Sequence, residues 1–158
     1  MKKWFIISVT IISVLVIDLI TKHFLFAIDY FNLIPNVISI ASNGGNTGAA
    51  FGIFSDNTIL LIVVSIIMIV VLFIFNYFAK ERSAFYCIAF GFIVGGACGN
   101  LIDRIFLGYV RDFIYLDFWP SFPIFNFADS FLTIGAVLMA IYIIFFMGKN
   151  RDKGKIEN

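Results

Sequence analysis

The run over residues 59–78 carries no charged side chain, and it limits what the chain can become more than any other feature. As an α-helix it reaches about 30 Å, the thickness of a bilayer's hydrocarbon core, whereas a soluble fold has no comparable place for it. Three further apolar runs, over residues 4–20, 84–102 and 131–147, read the same way. Composition agrees: 61% of the 158 residues are hydrophobic and only 13% are charged, too apolar for a soluble globule. The expected fold is an all-α membrane protein with a small β element. Its four transmembrane helices form one domain over residues 1–148, followed by a polar tail over 149–158.

The start of the chain looks superficially like a secretory signal, with Lys2 and Lys3 before an apolar run. No small-residue cleavage site follows, and Asp18, Thr21 and Lys22 come instead, so the segment is read as a retained first span. Basic residues then set the orientation. Lys2, Lys3, Lys80, Arg82, Lys149, Arg151, Lys153 and Lys155 fall on one side, leaving Lys22, Arg104 and Arg111 for the other. By the positive-inside rule both termini are cytoplasmic and the two long connections face outward. Asp18, Asp29, Asp56, Asp103, Asp112, Asp117 and Asp129 then lie at or beyond the outer ends. The net charge of +1 gives no reason to expect a nucleic-acid partner.

The first long connection, 23–57, is too apolar for a plain linker. Val37 to Ser42 suits a short strand, and Asn43-Gly44-Gly45-Asn46 is strong turn chemistry. The run Gly48-Ala49-Ala50-Phe51-Gly52 offers backbone that another chain can approach closely. A small β-rich platform at the outer surface is expected there. The second connection, 104–130, is aromatic, with Phe113, Tyr115, Phe118, Trp119, Phe122, Phe125 and Phe127 suited to a membrane interface. Pro120 and Pro123 exclude a helix in it. In the third helix Gly91, Gly95 and Gly99 recur every fourth residue, a stripe that suits close helix packing. Cys87 and Cys98 are eleven residues apart on that helix, too distant for a disulfide.

Charge near a bilayer needs a partner or a purpose, and the stretch from Gly99 to Ser130 concentrates it. Asp112 follows the third helix and Asp129 precedes the fourth, so two adjacent helices can bring both carboxylates to one depth. Such a pair does not easily ionise twice: one member stays protonated as general acid and the other activates water. Asp129 at the positive end of a helix suits the base role. A second reading stands beside this one, with Asp129 and Ser130 capping the fourth helix and Asp112 an ordinary loop acid. Asn100 and Arg104 share a helix face, and Asp103 at a helix C-terminus needs a cationic or hydrogen-bonding partner. Brace is the preferred role for Asp103, while Arg104 suits brace or substrate clamp equally. Asp18 and Lys22, four apart, suit a local ion pair. Asn46 suits either a turn or a substrate hydrogen bond. No His/Cys cluster or phosphate-binding glycine loop points to a metal or cofactor.

Five motifs in order resemble the lipoprotein signal peptidase, or signal peptidase II, family. They are Asp18-x-x-Thr21-Lys22, Asn46-Thr47-Gly48-Ala49-Ala50-Phe51, Gly99-Asn100-x-x-Asp103-Arg104, Gly108-x-Val110-x-Asp112-Phe113 and Phe125-Asn126-x-Ala128-Asp129-Ser130. The resemblance implies a metal-independent membrane aspartic endopeptidase of the bacterial cytoplasmic membrane, with Asp112 and Asp129 as the catalytic dyad. It implies that Asn46, Gly48, Asn100, Arg104, Asn126 and Ala128 line or support the site. It also implies the substrate: a lipoprotein precursor, cut at the outer face just before a cysteine that already carries diacylglycerol. No cofactor is expected; the partners are such precursors and membrane lipids, and the enzyme is expected to act as a monomer. Leu19, Gly45 and Arg111 depart from the family's usual residues. The rival readings are an ion-coupled transporter, which needs its ionisable groups near the bilayer centre, and a non-catalytic assembly subunit.

Overall fold

The computed structural model describes residues 2–42, 44–48, 54, 57–79 and 83–147. Within them α1 (Lys2–Leu25) leads to strands β1 (Tyr30–Ile34) and β2 (Ile38–Ala41). Then come α2 (Thr58–Phe78), α3 (Ala84–Leu107), β3 (Ile114–Leu116) and α4 (Phe127–Tyr142), which runs on into a π-helical turn, Ile143–Met147. Among the described residues, four helices are long and apolar enough to cross a membrane. The fold is therefore mostly helical, with one small antiparallel sheet in the order β1-β2-β3. Lys80 and Arg82, the run from Ala49 to Gly52, Asp56 and the tail over 149–158 lie outside the described residues.

The helices extend past the apolar runs that announce them. α1 continues past residue 20 through Lys22 to Leu25, α3 through Asp103 and Arg104, and α4 begins at Phe127 rather than at residue 131. A hydropathy reading ends a helix where apolar residues give way to charged ones, but these charges are satisfied inside the bundle and the backbone ladder continues across them. α3 starts where Ser83 Oγ accepts the Tyr86 N–H at 3.1 Å and stops at Gly108, which takes the left-handed conformation.

α3 is the central helix, and its glycines determine how its neighbours approach. A Cβ at Gly91 would meet Thr10, one at Gly95 would meet Val14, and one at Gly99 would meet Asp18. These pairs rise together in number, so α1 and α3 run parallel with α1 pressed against the bare stripe. α4 packs on the adjoining face, where a Cβ at Gly96 would meet the Ala128 carbonyl and one at Gly135 would meet the backbone of Ala89 and Ile93. Away from the loops the core closes with Ile7, Tyr86, Cys87, Phe90, Val94 and Tyr142. α2 is peripheral: only Leu61 and Asn76 are buried in it, Leu72 and Phe73 pack toward the core, and most of its other apolar side chains are exposed, as suits a face turned to lipid.

The sheet sits on the end of the bundle where α1 and α3 finish and α4 begins. β1 pairs with β2 from Tyr30 opposite Ala41, and β2 pairs with β3 from Ile38 opposite Leu116. Ser39, fully buried, donates to Asp117 Oδ2 at 2.8 Å and pins the two connections together. The second connection is extended and turned, as its prolines require. Its aromatics divide, however. Phe118 and Trp119 are exposed, whereas Phe113 is wholly buried against Phe127 and belongs to the core, not the interface. It faces inward because Asp112 beside it is turned to the opposite side of an extended backbone.

Candidate active site

The site forms where five chain segments meet: the end of α1, the first connection around Asn46, the end of α3, the segment before β3 and the first turn of α4. α4 opens with a capping box. The Asn126 side-chain oxygen accepts the Asp129 N–H at 3.0 Å, and Asp129 Oδ2 accepts the Asn126 N–H at 3.2 Å. Asn126 is therefore the cap, and Asp129 is a residue of the first turn rather than the cap itself. The exchange folds the Asp129 carboxylate back toward the helix's positive end.

Asp112 approaches from the other side. Its Oδ1 accepts from Asn126 Nδ2 at 2.6 Å and its Oδ2 from Asn46 Nδ2 at 2.9 Å. Asn126 thus holds both aspartates, the one through its amide group and the other through its oxygen and backbone N–H. Asn100 completes the set by donating to Asp129 Oδ1 at 2.7 Å. Each carboxylate oxygen of the pair receives one N–H from the protein. Burial, and then the neighbouring Asp129 carboxylate, push the Asp112 carboxyl up to about 7, against the bonds from Asn46 and Asn126 that favour its charge.

Behind the pair lies a buried ionic cluster. Lys22 Nζ, with no solvent exposure, meets Asp18 Oδ2 at 2.8 Å, Asn100 Oδ1 at 2.9 Å and Asp103 Oδ2 at 3.4 Å. Asp18 and Lys22 do form a local pair, but they also reach across the bundle. Asp18 Oδ1 accepts the Ala128 N–H at 2.9 Å, giving the start of α4 a second cap from a different helix. Sequence reasoning missed this link, because nothing local marks a contact between residues 110 positions apart. Gly99 permits it, since a Cβ there would strike the Asp18 carboxylate. Asp103 has cationic partners, as its place at a helix C-terminus required: Lys22, and Arg111 at 2.7 Å. Arg111 turns away from Asp112, its neighbour in sequence, and toward Asp103.

The first connection is latched onto the site through its backbone. The N–H and carbonyl of Asn46 exchange bonds of 2.8 Å with those of Val110. Asn46 Oδ1 accepts the Gly48 N–H at 3.0 Å, and the Gly48 carbonyl accepts from Arg104 Nη2 at 3.0 Å. Gly45 beside them has a φ of +104, and a Cβ on it would collide with the Tyr109 ring. Gly45→Ala is accordingly expected to destabilise the protein by about 1–3 kcal/mol, measurable as earlier thermal unfolding of the detergent-solubilised protein. An unchanged unfolding curve would contradict the tight seat.

The two aspartates open into a cleft of about 470 Å³. Asn46, Asn100 and Arg104 line its polar end, and Leu116, Phe122, Ile124, Leu132 and Ile134 form apolar walls. Of the residues singled out from sequence, Asn46, Asn100, Arg104, Asp112 and Asp129 line this space. Asn126, Ala128, Gly48, Asp18 and Lys22 support it from behind or beside. Such an arrangement brings two carboxylates and several amide donors together at one end of an apolar cleft.

Comparison with known proteins places this geometry. Residues 10–145 match the family described as Signal peptidase (SPase) II. A lipoprotein signal peptidase of Staphylococcus aureus is 37% identical over 96% of this chain and 97% of its own length. The protein of that name from strain JH9 is 36% identical over the same shares. Two solved structures, described as a bacterial membrane enzyme studied by the in meso method at 2.3 Å and 1.9 Å resolution, superpose with TM-scores of 0.80 and 0.79, each at 34% identity. The first covers 87% of both chains, and the second covers 89% of this chain and 93% of its own. Four spanning helices, a cap-bound pair of aspartates and a family match over nearly the whole bundle lead to one conclusion: this multi-pass bacterial membrane protein belongs to the signal peptidase II family of peptidases.

Proposed function

We propose that the protein removes signal peptides from lipoprotein precursors by aspartic catalysis, with Asp112 and Asp129 as the dyad. The observation that carries this reading is the convergence of the two carboxylates on Asn126 at the head of an apolar cleft. Asp112 holds the dyad's proton at neutral pH, and Asp129, at the positive end of α4, acts as the base. Asp129 takes a proton from water as the water oxygen bonds to the scissile carbonyl carbon. Asp112 gives its proton to the carbonyl oxygen. The resulting gem-diol collapses when Asp129 protonates the leaving nitrogen and Asp112 recovers a hydroxyl proton, so the C–N bond breaks and the dyad is regenerated. Arg104, which lines the cleft beside the two aspartates, is suited to a substrate carbonyl. The scissile bond is the one before a diacylglyceryl-modified cysteine, whose chains leave toward lipid along the walls of Leu132 and Ile134.

The reaction needs no metal. The basic residues at the N-terminus, in the α2–α3 link and in the tail support an orientation with both termini cytoplasmic and the dyad at the outer face. The four-helix unit through residue 148 acts as one domain, as a monomer. Ionisable side chains at helix ends, not at mid-bundle, speak against a transport pathway.

The purified protein, mixed with a diacylglyceryl-modified precursor peptide, is expected to yield two fragments whose masses place the cut before the modified cysteine. The same peptide without lipid is expected to be cut more slowly, and a chelator to leave the rate unchanged. An intact precursor would refute the proposal. The pH dependence has a definite sign. A proton retained up to about 7 means that the rate falls above that pH, about tenfold per unit, as the dyad loses its acid. A rate that keeps rising to pH 9 would exclude Asp112 as proton donor.

A further inference from the structure

Asp103 is the point at which the buried cluster could fail, because two cations compete for it. Arg111 engages it four times: Nη2 to Oδ1 at 2.7 Å, Nε to Oδ1 at 3.2 Å and to Oδ2 at 3.3 Å, and its backbone N–H to Oδ2 at 3.0 Å. Lys22 is farther, at 3.4 Å. Its shorter bonds go to Asp18 and to Asn100 Oδ1. That division has a consequence for the dyad. Asn100 Oδ1 accepts from both Lys22 and Asn126, at 2.9 and 3.1 Å, which leaves its Nδ2 as the end that faces Asp129. The direction of the Asn100 amide is therefore held by Lys22 and Asn126 together, Lys22 making the shorter, charged bond.

We propose that Arg111 is a positioning residue for the dyad: by claiming Asp103 it leaves Lys22 committed to Asn100, which then presents its amide donor to Asp129. The proposal rests on the dyad assignment above. It uses groups from every element that meets the cluster: Asp18 and Lys22 from α1, Asp103 and Arg104 from α3, Arg111 and Asp112 from the segment before β3, and Asp129 from α4. Four carboxylates face three cations among these residues, so a single proton on the dyad brings the assembly to neutrality. Loss of Arg111 leaves Asp103 with Lys22 alone, draws Lys22 from Asn100, and surrounds the dyad with uncompensated negative charge.

Arg111→Leu is therefore expected to lower kcat about tenfold with KM little changed, and to move the alkaline limb of the pH profile upward by roughly half to one unit, since added negative charge holds the dyad's proton more tightly. Arg111→Lys should restore the limb while recovering the rate only in part, because an ammonium lacks the forked geometry. The deciding variant is Arg111→Leu combined with Asp103→Asn. Removal of the orphaned carboxylate frees Lys22 again, and kcat is expected to rise above that of Arg111→Leu. If Arg111→Leu does not fold, Arg111→Gln carries the same expectations with its own Asp103→Asn double variant. Three results would overturn the proposal: a wild-type rate and limb in Arg111→Leu, a loss confined to KM, or a double variant no faster than the single. Full activity in Asp112→Asn would instead remove the dyad assignment, and so separates the two failures.

Discussion

Asp112→Asn and Asp129→Asn are each expected to reduce cleavage of a lipidated precursor by at least about 10³-fold, within or above the range found when a general acid or base is lost. The substitution is nearly isosteric, so the geometry around each site survives. An asparagine at 129 has one oxygen, which keeps either the Asn126 N–H or the Asn100 amide bond, and the cap of α4 from the Asn126 side chain to the N–H of residue 129 is kept. An asparagine at 112 still has an oxygen for either Asn46 or Asn126. What each variant loses is the proton chemistry: an amide neither takes a proton from water nor gives one to a leaving nitrogen. Stability should hold or rise slightly, because a pair of buried acids is costly to keep together. The check is a cleavage assay run beside thermal unfolding of the same samples. Wild-type turnover in either variant would refute the dyad, and loss of activity with loss of fold would show that the aspartate is a brace.

Lys22→Met has the largest expected effect on stability. Lys22 has no solvent exposure and serves Asp18, Asp103 and Asn100 together. Removing it leaves the buried Asp18 carboxylate without a cation and Asp103 with Arg111 alone, a change that costs about 3–5 kcal/mol. Its consequence is not confined to α1, since Asp18 also caps α4 through Ala128. Asp18→Asn added to Lys22→Met is expected to recover part of the loss, because it removes one orphaned charge while keeping an acceptor for the Ala128 N–H. Unfolding of the single and double variants measures both. If Lys22→Met unfolds as the native protein does, the cluster is ornamental.

Hydropathy was sufficient for the four spans, because burial in lipid demands long uninterrupted apolar runs that are visible one residue at a time. β2 was legible as well, in the short stretch from Val37 to Ser42. β1 was not: Tyr30 to Ile34 is exposed throughout and has no alternation to read, and only its pairing with β2 makes it a strand. The helix ends were misjudged for a related reason. Lys22, Asp103 and Asp129 look like boundaries in a linear reading, but each bonds inside the bundle to a residue on another segment of the chain.

The candidate site divides in the same way. The five motifs point to the family, and comparison with the S. aureus relatives agrees on the family over nearly the full chain. Motifs do not say what each residue touches. That Asn126 links the two aspartates, that Asp18 caps a helix it does not belong to, and that Arg111 turns from Asp112 to Asp103 are decided by the bare glycine stripe of α3, which lets α1 and α4 close to van der Waals contact. The sequence by itself determined a four-span membrane protein with acidic chemistry at one end, because hydrophobicity and charge are properties of single residues. Only the tertiary structure decided the wiring of that end, because a hydrogen bond or ion pair is a property of two residues, and here most of the partners lie far apart in the chain.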